Sequence, residues 1–318
     1  MRRMRSDKEL GTVAVWVALS MIPILAFMAV VADVGMLYWE KGQLQNGADA
    51  AALAVAQECA AEPASCSGIA GGVATEMAGF NANDDQANAA IAHLEVNGRA
   101  GKVTVESSTL NSEGVTVAHP FASLIVPGAT TVDADATAEW GQPVAGNTLA
   151  LAIDQCEFEL SPPEEGDLIM LRYDQNAQNA SACQDARGGF GWLESANCRA
   201  DISVDGWVGV TTGNNPGGSG CTENYIMSLI GTTVVVPIFD AYRGTGDNTE
   251  YHIVAFAALE LLDYRISGDD RVELPPGCSG QCRGIQARFV ELVDFDDEFE
   301  LGNGGDAGVT IVRLRLTE

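Results

Sequence analysis

The chain opens with a patch of basic residues, then an unbroken apolar run, then a mixed pattern with helical spacing. Arg2, Arg3, Arg5 and Lys8 precede the run Gly11–Ala32, which carries no charge. At 1.5 Å per residue that run is about 33 Å of helix, close to the roughly 30 Å hydrocarbon core of a bilayer. Asp33 and Glu40 follow it, with Lys41 as the next cation. The cationic flank predicts an N-terminus on the cytoplasmic side and the bulk of the chain outside. Pro23 lies near mid-span, where it removes one backbone hydrogen bond. Cleavage after Val30-Val31-Ala32 is the alternative to a retained anchor, although the run is longer than the apolar region of a signal peptide. Prepilin-type processing after Gly11 would go with a glutamate five residues on, where this chain has Trp16.

Beyond the span the helical pattern continues. Leu37, Leu44, Ala48, Ala51, Val55 and Cys59 fall on one face, and Gly47 with Ala54 and Ala56 keeps the surface small enough for a close neighbour. Two occupants fit that face: a helix of a partner protein, or the chain's own downstream domain. Residues 68–95 read as an alanine-rich helix interrupted at 81–85. Lys102–Ser107, Gly114–Ala118 and Thr130–Trp140 alternate as strands, with a turn at 111–114. A helix laid on a small antiparallel sheet accounts for this module.

Gly141–Gly146 is rich in proline and glycine and reads as a joint. After it come short apolar runs separated by glycine-rich turns: Leu149–Ile153, Thr232–Phe239, Tyr251–Ala258, Phe289–Val293 and Val309–Leu316, with loops at 213–220 and 302–308. The predicted fold class is α+β. It comprises a cytoplasmic tail (1–10), a transmembrane helix (11–32), a membrane-proximal helix-on-sheet module (33–145) and a disulfide-stabilised β-rich distal domain (146–318).

Charge and cysteines narrow the function. A formal net charge of -27 excludes a phosphate-binding surface and so nucleic acid as a partner. The chain has 8 cysteines: Cys59, Cys66, Cys156, Cys183, Cys198, Cys221, Cys278 and Cys282. An even number outside the cytoplasm reads as disulfides. Cys59–Cys66 and Cys278–Cys282 are the natural local pairs, and the remaining connectivity stays open. Zinc is disfavoured because the 3 histidines are not spaced near a cysteine pair. Asp294, Asp296 and Asp297 stand in the densest acidic run and are the weak candidate for calcium, but they lack the glycine and terminal glutamate of an EF-hand loop. No phosphate-binding, metalloprotease or nucleophile-elbow motif occurs. The chain is expected to be non-enzymatic and to need no cofactor.

The N-terminal segment resembles a known family. Gly11-x-Val13-Ala14-Val15, Pro23, Ala32-Asp33-Val34-Gly35, Tyr38 and the run Leu44-Gln45-Asn46-Gly47-Ala48-Asp49-Ala50-Ala51-Ala52-Leu53-Ala54 resemble the start of TadE/TadG-like proteins of tight-adherence (Flp) pilus assembly. The likeness covers residues 11–57. It continues more weakly to about 140, through Val103-Thr104-Val105, Phe121-Ala122 and the alternation Val132, Ala134, Ala136, Ala138. It implies a membrane-anchored assembly component whose partners are other pilus-assembly proteins or minor pilins. Larger TadG-type proteins often carry a von Willebrand A-like domain with a metal-holding Asp-x-Ser-x-Ser. Here Asp154-Gln155-Cys156-Glu157-Phe158 has neither serine, and no such site is carried over. A surface adhesin, anchored or secreted, is the alternative from another functional class. In sequence terms Asp33 marks the outer membrane boundary, and Asp49 faces solvent, caps a neighbour or recognises a partner helix.

Overall fold

A computed structural model describes residues 10–83, 87–110, 121, 131–156, 166–172, 190–211, 220–265, 284–290, 292–293, 299–304 and 309–315. The apolar run and the patterned segment after it form a single helix, α1 (Leu10–Ala61), of 52 residues that passes through Pro23. Pro63 ends it, because the residue before a proline is pushed out of the helical region. The chain then reverses into α2 (Cys66–Asn81), stapled to the end of α1 by the Cys59–Cys66 disulfide with its Cα atoms 4.6 Å apart.

Ala70, Ala74 and Ala78 repeat every four residues along the buried face of α2. They share a core with Leu44, Ala48, Ala51, Ala52, Val55 and Ala56 of α1. Small side chains on both helices allow the backbones to approach closely. A Cβ on Gly47 would lie only 3.4 Å from the Ala78 Cα. Both helices lie on a sheet whose inward residues, Val103, Val105, Ala134, Ala136, Ala138, Trp140 and Val312, complete that core.

The helix expected over 68–95 stops at Asn81. Residues from Ala87 form strand β1 (Ala87–Asn97), which pairs antiparallel with β2 (Ala100–Thr109). The alanines of this stretch have helical propensity, but a two-residue turn overrides it. That turn is Gly98-Arg99, closed by the pair Asn97 and Ala100, and Gly98 adopts φ 62°, which glycine takes without strain. β2 pairs in turn with β3 (Asp133–Leu149). The strand and turn expected within 111–118 lie outside the described residues.

A second correction concerns residues 141–146. They are not a joint but the middle of β3, a 17-residue strand. Pro143 is accommodated at a register shift opposite β13 (Phe299–Gly302). The first half of β3 also pairs with β14 (Thr310–Arg315), and its last residues pair with β7 (Arg199–Ser203). The first sheet has seven strands in the order β1-β2-β3-β14-β12, with β13 and β7 also on β3; β12 is Leu292–Val293. Strands β13 and β14, late in the chain, therefore return to the sheet that carries α1 and α2.

The second sheet also has seven strands: β5 (Leu168–Arg172), β11 (Gly284–Val290), β10 (Glu250–Arg265), β9 (Thr233–Arg243), β4 (Leu151–Asp154) and β6 (Phe190–Trp192) in order, with β8 (Trp207–Gly209) on β10. Its pairings are antiparallel except β4 with β9. The apolar runs of the sequence supply its central strands. Ile153, Ile238, Ile253, Phe256, Leu259 and Ile285 form its core, joined by Phe299, Val309 and Ile311 from the strands that return to the first sheet. A short helix, α3 (Glu223–Ser228), is capped by Thr222. Next to it, Cys198–Cys221 forms a second disulfide. Cys156 is also disulfide-bonded. Cys183, Cys278 and Cys282, and with them the local pair 278–282, lie outside the described residues. The whole is α+β, as the sequence pattern predicts.

Candidate assembly interface

α1 has two halves with opposite surroundings. Its most apolar 18-residue window is 0% buried, and the helix is long and apolar enough to cross a membrane. From Val13 to Trp39 the exposed side chains include Trp16, Ile22, Phe27, Val31, Tyr38 and Trp39. Polar residues would line such a surface if it faced water. This arrangement is compatible with a single-pass membrane anchor.

The other half is occupied. Leu44, Ala48, Ala51 and Val55 are buried in the chain's own core against α2 and the sheet, while Leu37, about two turns below Leu44, is half-buried. Of the two occupants open to this face, the structure places the chain's own domain there. The surface free to meet another helix is the lower one.

Polar groups of α1 fix the domain to the helix. Lys41 Nζ donates to the Asp133 carbonyl at 2.5 Å. Gln45 Nε2 donates to Asp49 Oδ1 at 3.0 Å and to the Asp135 carbonyl at 3.1 Å. Gln43 Oε1 accepts from the Asn83 backbone N–H at 2.6 Å. Asp49 is thus the acceptor of an (i−4) glutamine on its own helix. These contacts tie α1 to the start of β3 and the end of α2, so the family-like run 44–54 is built for intramolecular packing.

Asp33, the residue expected at the outer membrane boundary, is covered by the protein itself. It is only 5% exposed, and its Oδ1 accepts the Phe121 backbone N–H at 3.4 Å. The exposed apolar surface continues past it to Trp39. No spacing rule could have found the contact, because it joins residues 88 apart.

In the distal sheet, Asp154 ends β4 and is buried, accepting from the Cys156 N–H at 2.9 Å. Among the described residues, no group of three or more metal-ligating side chains converges. The calcium candidates Asp294, Asp296 and Asp297 lie outside the described residues. Tyr251 stacks on Phe239 with ring centroids 3.9 Å apart. Burial, reinforced by the charge of Asp154, pushes its hydroxyl up to about 12. Arg243 reaches Glu250 at 2.6 Å and lies 4.2 Å from the Trp207 ring. That hydrogen bond holds the Glu250 carboxyl below its usual range. His252 Nδ1 sits 2.8 Å from Asp240 Oδ1.

The comparison with known proteins bears on the first helix. Residues 11–58 match the family described as putative Flp pilus-assembly TadE/G-like. The match confirms the resemblance read from Gly11 to Gln57 and coincides with almost the whole of α1. It supports a role related to pilus assembly. No curated protein and no solved structure matches the chain. The TadE/G-like segment therefore comprises the exposed apolar half of α1 and the run that seats the two-sheet domain on it.

Proposed function

We propose that this chain is a non-enzymatic, membrane-anchored component of tight-adherence pilus assembly. α1 crosses the membrane with its N-terminus inside, and the residues after it project outward. The exposed half of α1 meets helices of other assembly proteins or minor pilins within the bilayer, and the two-sheet ectodomain offers further contacts outside. The observation that carries this reading is the coincidence of the TadE/G-like match with a helix whose apolar half is uncovered by the described residues. The surface of the ectodomain, with its net negative charge, suits an extracytoplasmic setting.

Electron microscopy of surface fibres in cells with and without the intact gene tests the proposal. Fibres lost on deletion and restored by the intact gene support it. Unchanged fibres overturn it and favour a surface binding protein with the same type of anchor.

A further inference from the structure

The ectodomain does not stand clear of the span. It begins beside Asp33, yet the apolar surface of α1 extends to Trp39, about 9 Å further along the helix axis. Over this overlap the helix is two-sided. Asp33 is buried and Leu37 and Glu40 are half-buried. Val34 and Met36 are exposed, with Tyr38 and Trp39 at 77% and 68%. At about 100° per residue, Val34, Tyr38, Trp39 and Met36 span roughly 200° of the circumference. A single partner helix covers a stripe of about 100°. An occupant that surrounds the helix covers the whole arc, and on an element continuous with a membrane span that occupant is lipid. Tyr and Trp are the side chains that favour the headgroup level.

Phe121 lies on the covered side, with its backbone on the Asp33 carboxylate and 46% of its surface exposed. It is therefore level with a helix residue nearer the bilayer centre than Tyr38 and Trp39. Strand direction agrees with that placement: β2 ends at Thr109, and β3 begins at Asp133 beside Lys41. Ser108 and Asp133, a pair that flanks Phe121 in sequence, thus stand at the membrane-facing edge of the sheet.

We propose that Phe121, together with Val34, Met36, Tyr38 and Trp39, forms a second membrane contact, in which the base of the ectodomain is seated in the outer headgroup–acyl boundary. The Phe121 N–H meets the Asp33 carboxylate, which is shielded within the protein and whose exposure to hydrocarbon would be costly. The ectodomain is thereby held at a fixed height and rotation on the bilayer. This inference rests on α1 being a membrane anchor and not on the pilus role.

The test uses the full chain, purified and reconstituted in palmitoyl-oleoyl phosphatidylcholine nanodiscs. Photoreactive benzoylphenylalanine replaces Phe121, Phe27 or Trp207 in separate preparations. After irradiation, mass spectrometry is expected to find one added phospholipid at positions 121 and 27 and none at 207. Lipid at 27 with none at 121 overturns the inference and leaves the anchor standing. No lipid at 27 overturns the anchor reading itself. An independent readout needs no change at Phe121. Tryptophan emission is compared between the native chain and Trp39→Phe in nanodiscs containing lipids brominated near the headgroup end of the acyl chain. The Trp39 share of the emission is expected to be quenched, and an unquenched share overturns the proposal.

Discussion

Replacing Gly47 tests the packing that seats the two-sheet domain on α1. A Cβ there would meet the Ala78 Cα at 3.4 Å, the Ala78 carbonyl oxygen at 3.5 Å and the Asn81 Cβ at 3.6 Å. These are ordinary van der Waals distances, so alanine fits without moving α2. Alanine also gains about 0.8–1 kcal/mol of helix propensity over glycine. Gly47→Ala is therefore expected to stabilise the protein by somewhat under about 1 kcal/mol. Leucine is different. With Ala78 and Asn81 already in contact with the Cβ position, three further carbons overpack the helix pair, at a cost of about 1–3 kcal/mol. At about 2–4 °C per kcal/mol for a domain of this size, the melting temperature should rise slightly in Gly47→Ala and fall by about 2–12 °C in Gly47→Leu. Near-ultraviolet circular dichroism of the full chain in nanodiscs reads both. Equal destabilisation by alanine and leucine, or tolerance of leucine, would refute the placement of α2 against Gly47.

Other variants probe other parts of the fold. Cys59→Ser with Cys66→Ser opens a short loop, and the chain-entropy account sets the cost at about 2–3 kcal/mol, measurable as a lower urea midpoint. A chain stopped after residue 308 loses the buried Val309, Ile311 and Val312. At about 1.5–3 kcal/mol per buried aliphatic side chain it should become sensitive to limited proteolysis throughout the ectodomain, and persistence of a resistant core would contradict the shared-strand architecture. Gly101→Ala would set a Cβ 2.2 Å from the Trp140 ring and 2.4 Å from the Glu95 carbonyl oxygen, so loss of the folded near-ultraviolet signal is expected. Tyr251 has a folded-state pKa of about 12, raised from 10.0 by burial first and then by Asp154. The unfolded chain ionises first, so the stability this tyrosine supplies is complete below pH 10 and is lost as pH rises toward 12. Urea unfolding across that window should fall less steeply in Tyr251→Phe, and identical slopes would refute the assignment.

The comparison of pattern with structure divides along physical lines. Local signals sufficed for α1, for the Cys59–Cys66 pair and for the centres of β2, β9 and β10, where a continuous apolar run or a strict alternation leaves one solution. The α2–β1 region misleads because alanine serves a helix face and a strand face equally well. The informative residue there is Gly98, the first of the two in the Gly98-Arg99 turn. The apparent joint at 141–146 misleads for another reason. Proline and glycine usually interrupt strands, but β13 and β14 return from more than 150 residues away to pair with β3 through this stretch, and no local window contains them. The face Leu44–Val55 has a pattern that fixes its burial without naming its cover, since helical periodicity is the same for a partner helix and for α2. The seating of Phe121 on Asp33 depends on tertiary placement alone.

The central claim is that the exposed half of α1 does more than tether the ectodomain. Its most direct test is to replace residues 13–32 by an unrelated apolar span of equal length, keeping the flanking charges and everything from Asp33 onward, and to count surface fibres by electron microscopy. The account predicts that fibres are lost while the protein still reaches the membrane in normal amount. Fibres at the normal level would contradict it and reduce the span to an anchor.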